Sequence, residues 1–213
     1  KEPGLVGEAS PLDDLRALGE GNISVGHVRY ATTGSDNRRN AQPIVIDHHK
    51  GALALAHNGN LVNAWELRTS LEEAGCIFHT TSDSEIIAYV IVQERLRHAS
   101  IEEAVSAAMA RLKGAYSLVI SSPAKLIAAR DEHGFRPLCM GTRADGSTVF
   151  ASESCALDAV GAKLVREIEP GEIVVVSGSG ARSIKDHCGK APHSLCVFEY
   201  IYFARPDSII EGA

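Results

Sequence analysis

Gly26-His27-Val28-Arg29-Tyr30-Ala31-Thr32, Ala56-His57-Asn58-Gly59-Asn60 and Thr81-Ser82-Asp83-Ser84-Glu85 carry the reading of this chain. They place a guanidinium (Arg29), a carboxamide beside a glycine (Asn58-Gly59) and a carboxylate (Asp83) at three chain junctions. A guanidinium is suited to a two-point grip on a carboxylate. A carboxamide N–H and a neighbouring glycine N–H can both address a developing oxyanion. A carboxylate can hold an ammonium group. Together these groups form a receptor for an α-amino acid, with an oxyanion site at its side chain and no attacking atom. Each also has a plain structural reading. Arg29 fits an ion pair, Asn58-Gly59 fits a tight turn, and Asp83 fits a helix N-cap.

The pattern around these strings places them on elements. Residues 23–30 alternate and carry β-branched side chains, which predicts a strand with Arg29 near its end. Residues 52–56 are a short apolar run between Gly51 and Asn58-Gly59, which predicts a buried strand ending in a turn. Three helices are predicted next. The first is capped by Asn63, buries Leu67, Leu71 and Ala74, and stops at Gly75. The second is capped by Ser82 or Asp83, with Ile86, Ile87, Val90 and Ile91 as its stripe. The third opens on the capping box Ser100-Ile101-Glu102-Glu103 and buries Ile101, Ala104, Val105, Ala108 and Leu112.

Upstream, residues 11–18 predict a short helix with Ser10 as cap, Pro11 at its first position and Gly19 at its end. After Gly114 the pattern turns to strands, at 115–120, 125–129, 137–140, 148–151, 172–176 and 195–203, with a helical turn at 154–160. Helices grouped in mid-chain and strands grouped after them predict an α+β layered fold rather than alternating βαβ units.

A chain of 213 residues is long enough to bury a core as one large domain or two small ones. Its net charge of −6, without a Lys/Arg cluster, speaks against a nucleic-acid face. No apolar run is long enough to span a bilayer as a helix, so no membrane partner is expected. Five scattered cysteines, an odd number, favour free thiols in a reducing, cytoplasmic setting. His27, His57 and His79 read as hydrogen-bonded histidines rather than catalytic ones. Asp186-His187-Cys188, His193 and Cys196 fit no standard zinc spacing. The start at Lys1 and the end at Ala213 read as cuts through a longer protein.

In order and context, the three strings resemble the glutaminase domain of the N-terminal-nucleophile amidotransferases. Further strings narrow the resemblance to the amidophosphoribosyltransferase family. They are Asp131-Glu132-His133-Gly134-Phe135-Arg136-Pro137-Leu138, Ala151-Ser152-Glu153-Ser154-Cys155-Ala156, Glu169-Pro170-Gly171-Glu172 and Phe198-Glu199-Tyr200-Ile201-Tyr202-Phe203-Ala204-Arg205-Pro206-Asp207-Ser208. The resemblance implies a four-layer αββα sandwich lacking its first strands. It implies a glutaminase domain over residues 1–198 and, over 199–213, a hinge into a phosphoribosyltransferase domain outside this sequence.

By the same resemblance, Arg29 holds the glutamine α-carboxylate, Asp83 holds its α-ammonium, and Asn58 and Gly59 form the oxyanion hole. The attacking thiol is that of an N-terminal cysteine whose own α-amine serves as base. Residues 1–25 contain no cysteine, so this chain alone is expected to be inactive. Ammonia would pass to phosphoribosyl pyrophosphate, held with Mg²⁺ in the second domain, to give phosphoribosylamine for purine synthesis. Cys196 matches a 4Fe–4S ligand position of some members; no cofactor is expected within the chain itself. A homo-oligomer is expected. Two other readings stay open: another glutamine amidotransferase of the same class, and a non-catalytic amino-acid-binding relic of the domain.

Overall fold

The computed structural model describes residues 2, 6–9, 12–29 and 38–212. Short helices α1 (Val6–Ala9) and α2 (Leu12–Ala17) come first. Gly19 ends α2 at φ +82°, as the sequence predicts; the proposed cap Ser10 and first position Pro11 lie outside the described residues. A 3₁₀ turn (Arg38–Asn40) leads into β1 (Ile44–His48) and β2 (Gly51–Leu61).

Helices α3 (Ala64–Glu73), α4 (Asp83–Arg97) and α5 (Ile101–Met109) follow. Then come β3 (Gly114–Ser122), β4 (Lys125–Arg130), β5 (Cys139–Arg143), β6 (Thr148–Ala151), α6 (Ser154–Ala159), β7 (Ala162–Glu167), β8 (Ile173–Ser177) and β9 (Gly180–Ile184).

The strands form two antiparallel sheets. One has six strands in the order β1-β2-β3-β4-β8-β9, the other three in the order β6-β5-β7. Period-two alternation sorts the large sheet's side chains onto two faces. Leu53, Leu55, Leu118, Ile120, Ile127, Ile173 and Val175 join one buried cluster with Leu67, Leu71, Ile87, Val90, Ile91 and Val105 of α3, α4 and α5. The opposite parity, Ala128 and Val174 with Val119, packs on Leu138, Met140, Phe150 and Ile168. Cys139 and Ala162 of the small sheet close on Leu157 of α6. The stack is therefore helices, large sheet, small sheet, helix. This is the four-layer αββα sandwich.

Two of the predicted helix signals hold, while the Asn63 cap and the burial of Ala74, which is exposed, do not. Gly75, at φ +89°, ends α3 with Gly75 N–H on the Glu72 carbonyl and Cys76 N–H on that of Leu71, the Schellman arrangement. Ser100 and Glu103 form a reciprocal capping box on α5. Asn63 precedes α3 without capping it; its side chain bonds the Arg111 carbonyl and the Lys113 N–H instead.

Three further expectations are corrected. Residues 23–29 keep alternating exposure but belong to no sheet. The next ladder site beyond β1, the outward N–H and carbonyl of His57, is filled by the Gln42 carboxamide at 2.6 and 3.0 Å. His27 meets that side chain, at 3.4 Å, rather than the β2 backbone. Asn58-Gly59 is not a turn, since β2 runs through it to Leu61 in unbroken register with β3. Residues 195–203 are not a strand; Glu199–Phe203 is a π-helical turn closed by Ala204 N–H on the Glu199 carbonyl. Its buried Glu199 pairs with Arg136 at 2.6 Å, while Tyr200, Ile201 and Tyr202 all face outward.

Candidate active site

The candidate site lies along the outward edge of β2, just past the end of β1. Asn58 pairs with Ser117 and Gly59 with Tyr116 of β3. Backbone groups of residues 57, 59 and 61 share one parity and point away from β3. Two of those N–H groups are taken: His57 donates to the Gln42 Oε1 and Leu61 to the Asp83 Oδ2 at 3.0 Å. Gly59 stands between them. By that parity its N–H faces the same side, away from β3, and no side chain of the described residues accepts a hydrogen bond from it.

Only glycine fits there. Gly59 has φ +146°, and a Cβ would lie 2.1 Å from the Ala115 carbonyl oxygen. The Asn58 side chain has the parity of the face opposite His57. No described residue bonds its carboxamide. A carboxamide and a peptide N–H on consecutive residues, both unspent, are the donor pair an oxyanion requires.

Asp83 is the first residue of α4, but Ser82 is the cap, its hydroxyl accepting from Ser84 N–H at 3.2 Å. The N-cap reading of Asp83 is thereby corrected, and its carboxylate is turned toward β2. The other oxygen, Oδ1, lies 3.6 Å from the His57 Nδ1. Burial opposes its ionisation. The His57 ring and the Leu61 N–H outweigh burial and hold the carboxyl below its ordinary value. An anion fixed beside the open Gly59 N–H is placed to receive an ammonium group.

The rest of the Thr81–Glu85 string is scaffolding. His57 Nδ1 also meets Ser84 Oγ at 3.2 Å, so the ring is wedged between β2 and α4. Buried Glu85 accepts the His79 and Thr80 N–H groups. Buried Asn40 exchanges two 3.0 Å bonds with Thr81. His57 is a hydrogen-bonded histidine, as its sequence reading has it, whereas the His79 ring is largely exposed and only its backbone N–H is held.

Arg29 is half-buried on the extended segment whose His27 touches Gln42. Burial, His57 and Arg29 together lower the His27 pKa to about 4, which puts Arg29 and His57 within electrostatic range of one imidazole. The structure therefore gathers Asn58, Gly59 and Asp83 along four residues of β2, while Arg29 lies two residues beyond His27, which meets Gln42. Sequence reasoning missed Gln42, Asn40 and Ser84. Gln42 falls at the end of a polar loop, and no local pattern marks a side chain that imitates a strand.

No cysteine of the chain is built as a nucleophile for this pair. Cys139 is buried, donates to the Ala151 carbonyl, and is pushed up to about 12 by burial. Burial also raises Cys76 and Cys188, the opposite of thiol activation. Cys155 lies against the Glu153 carboxylate. Cys196 is half-buried, with its N–H on the Phe135 carbonyl. Among the described residues no three His, Cys, Asp or Glu side chains gather as a metal site. A 4Fe–4S cluster takes four thiolates, so these residues do not fit one by themselves. His187 is engaged by Ser106 and Glu132. No described helix is long and apolar enough to cross a membrane.

Comparison with known proteins gives the family. The glutamine amidotransferase domain family matches residues 27–159. The chain is 42% identical to the amidophosphoribosyltransferase of Bacillus subtilis, covering 100% of this chain and 44% of that protein. It is 47% identical to that of Synechocystis sp., covering 99% and 43%, and 46% identical to Arabidopsis thaliana amidophosphoribosyltransferase 2, chloroplastic, covering 98% and 36%. The chain spans less than half the length of these relatives.

The B. subtilis glutamine phosphoribosylpyrophosphate amidotransferase, solved with ADP and GMP, superposes with a TM-score of 0.80 at 43% identity. That match covers 87% of this chain and 39% of that one. A structure described as the allosteric regulatory enzyme of purine biosynthesis gives 0.88 at 41% identity, covering 98% and 44%. With these matches and the four layers in place, the chain belongs to the glutamine amidotransferase domain family, in the form carried by amidophosphoribosyltransferases.

Proposed function

We propose that this domain binds glutamine at the β2 edge and releases ammonia from its side-chain amide. What supports the reading is the outward-facing Gly59 N–H beside Asn58, which no described side chain takes, set between the His57 and Leu61 N–H groups that Gln42 and the Asp83 carboxylate take. Asp83 holds the substrate ammonium, and Arg29 takes its carboxylate. A thiolate attacks the amide carbon, and the carbonyl electron pair moves onto oxygen. Asn58 and Gly59 donate to that oxyanion. Its collapse expels ammonia with one proton, and water then cleaves the thioester to glutamate. As the family resemblance implies, the thiol is that of an N-terminal cysteine of the full-length protein, its α-amine acting as base.

In that protein the ammonia is used on phosphoribosyl pyrophosphate, with Mg²⁺, to form phosphoribosylamine. Residues 1–198 form the glutaminase unit, and residues 199–213 lead on toward the acceptor domain. Cys196 would add one thiolate to an iron–sulfur cluster completed by that domain. The full-length protein works in the cytoplasm as a homo-oligomer. The test is Asn58→Ala in the full-length protein. Glutaminase kcat is expected to fall on the order of 10²-fold, with little change in KM. Normal turnover with weakened glutamine binding would remove the oxyanion assignment.

A further inference from the structure

The residues opposite the oxyanion pair are braced from the far side by one loop. Tyr116, the partner of Gly59, donates its N–H to Asp131 Oδ2 at 3.2 Å and accepts the Asp131 N–H at 2.9 Å. Ser117, the partner of Asn58, donates its hydroxyl to the Arg136 carbonyl at 3.2 Å. The loop between Asp131 and Arg136 is itself rigid. Buried Arg130 holds it through the Arg136 and Gly134 carbonyls, at 2.8 and 2.9 Å. Asp131 also receives the His133 and Phe135 N–H groups.

The other side of this loop grips the end of the chain. Ser194 N–H bonds the His133 carbonyl and Cys196 N–H that of Phe135. Arg136 reaches Glu199 by Nη1 at 2.6 Å, the two side chains being 22% and 5% exposed. Its guanidinium carbon stands 4.8 Å from the Phe203 ring centroid. The grip is one-pronged: Arg136 Nε is buried with no hydrogen-bond partner. An Arg–carboxylate pair is strongest as a two-pronged fork, so small movements of the Glu199–Phe203 turn alter how the fork is engaged. The Arg136 carbonyl that holds Ser117 belongs to the same residue.

We propose that Arg136 is a positioning residue that couples the seating of the Glu199–Phe203 turn, through Ser117, to the oxyanion donors Asn58 and Gly59. The coupling rests on the reading of that pair as an oxyanion site. It acts on donors engaged most strongly in the transition state, so it changes kcat. The glutamine clamps Arg29 and Asp83 lie off the relay, so KM stays.

The experiment is steady-state glutamine hydrolysis by the full-length protein carrying Glu199→Gln, Phe203→Ala, the double charge swap Arg136→Glu with Glu199→Arg, or Asn58→Ala. Glu199→Gln is expected to lower kcat about 10-fold with KM within about twofold, since sub-ångström misplacement of catalytic groups already costs rate. Phe203→Ala should act in the same direction by about threefold, and its exposed ring makes it the reporter if Glu199→Gln fails to fold. The charge swap should recover part of the loss. A rise in KM at constant kcat, or wild-type kinetics in folded variants, would overturn the coupling. Asn58→Ala separates the two claims. If it is crippled while the other variants are normal, only the relay fails; if it is itself normal, the oxyanion reading fails.

Discussion

Gly59→Ala tests the fold and the site at once. A methyl group built on Gly59 meets the Ala115 carbonyl oxygen at 2.1 Å, the Ala115 carbonyl carbon at 2.6 Å and the Tyr116 Cα at 2.9 Å. All three are backbone atoms of β3, which is hydrogen-bonded to β2 on one side and β4 on the other. No side chain can rotate away to make room. A non-glycine residue at φ +146° adds about 1–3 kcal/mol of backbone strain. Forcing extra volume into a packed region adds about 1–3 kcal/mol more. The sum, about 2–6 kcal/mol, is a large share of the roughly 5–15 kcal/mol that a domain has in total.

For a domain of this size each kcal/mol moves Tm by about 2–4 °C, so a drop of about 10 °C is expected. Thermal unfolding followed by circular dichroism reads it. Gly178→Ala is the control, because a Cβ there meets nothing within 4 Å. Any Gly59→Ala protein that does fold must have shifted the β2 backbone, so its glutaminase kcat falls as well. A Tm within about 2 °C of wild type, together with normal turnover, would refute both the packing argument and the place of the Gly59 N–H in the site.

Arg29→Lys in the full-length protein should raise KM for glutamine far more than it lowers kcat, because an ammonium cannot reproduce a planar two-point grip; unchanged KM in steady-state assays removes Arg29 from the site. Residues 1–213 alone should release no glutamate from glutamine above background, and a peptide beginning with cysteine should restore turnover; activity without the peptide would point to an internal thiol, with Cys76 the first to mutate. His27 imposes a pH slope on stability. Its pKa is depressed by burial, His57 and Arg29 from 6.5 to about 4, so the unfolded chain takes up a proton that the folded chain refuses between those values. Stability from this group is whole above pH 6.5 and declines by up to about 3 kcal/mol as pH falls toward 4. Denaturant melts of His27→Asn should show a shallower decline over that window, and an identical slope would discard the assignment.

Local signals alone fixed much of this protein. The helices α3, α4 and α5 could be read from their caps and 3.6-residue stripes, because Gly75, Ser82 and the Ser100–Glu103 box act within one turn of themselves. The central strands β3, β4 and β8 could be read because both of their faces are buried, so their apolar runs are unbroken. The missed strands, β1, β7 and β9, are all sheet edges. An edge strand has one partner and little burial, so its sequence carries a weak pattern. The π-helical turn at Glu199–Phe203 read as a strand because its aromatic run satisfies β propensity, while the Arg136–Glu199 pair that overrides it spans 63 residues of sequence.

The motif strings named Arg29, Asn58, Gly59 and Asp83, but not how they meet. Asn58-Gly59 looks like a turn in any local window. It becomes a strand only because β3 pairs with it, and an open donor only because β1 stops short and Gln42 fills the next site. Asp83 looks like a cap until Ser82 takes that place and frees the carboxylate for β2. Residue type and spacing determined which chemistry was present. Only the pairing of strands distant in sequence decided which donors were left unspent, because a backbone N–H is free or satisfied according to what lies across from it.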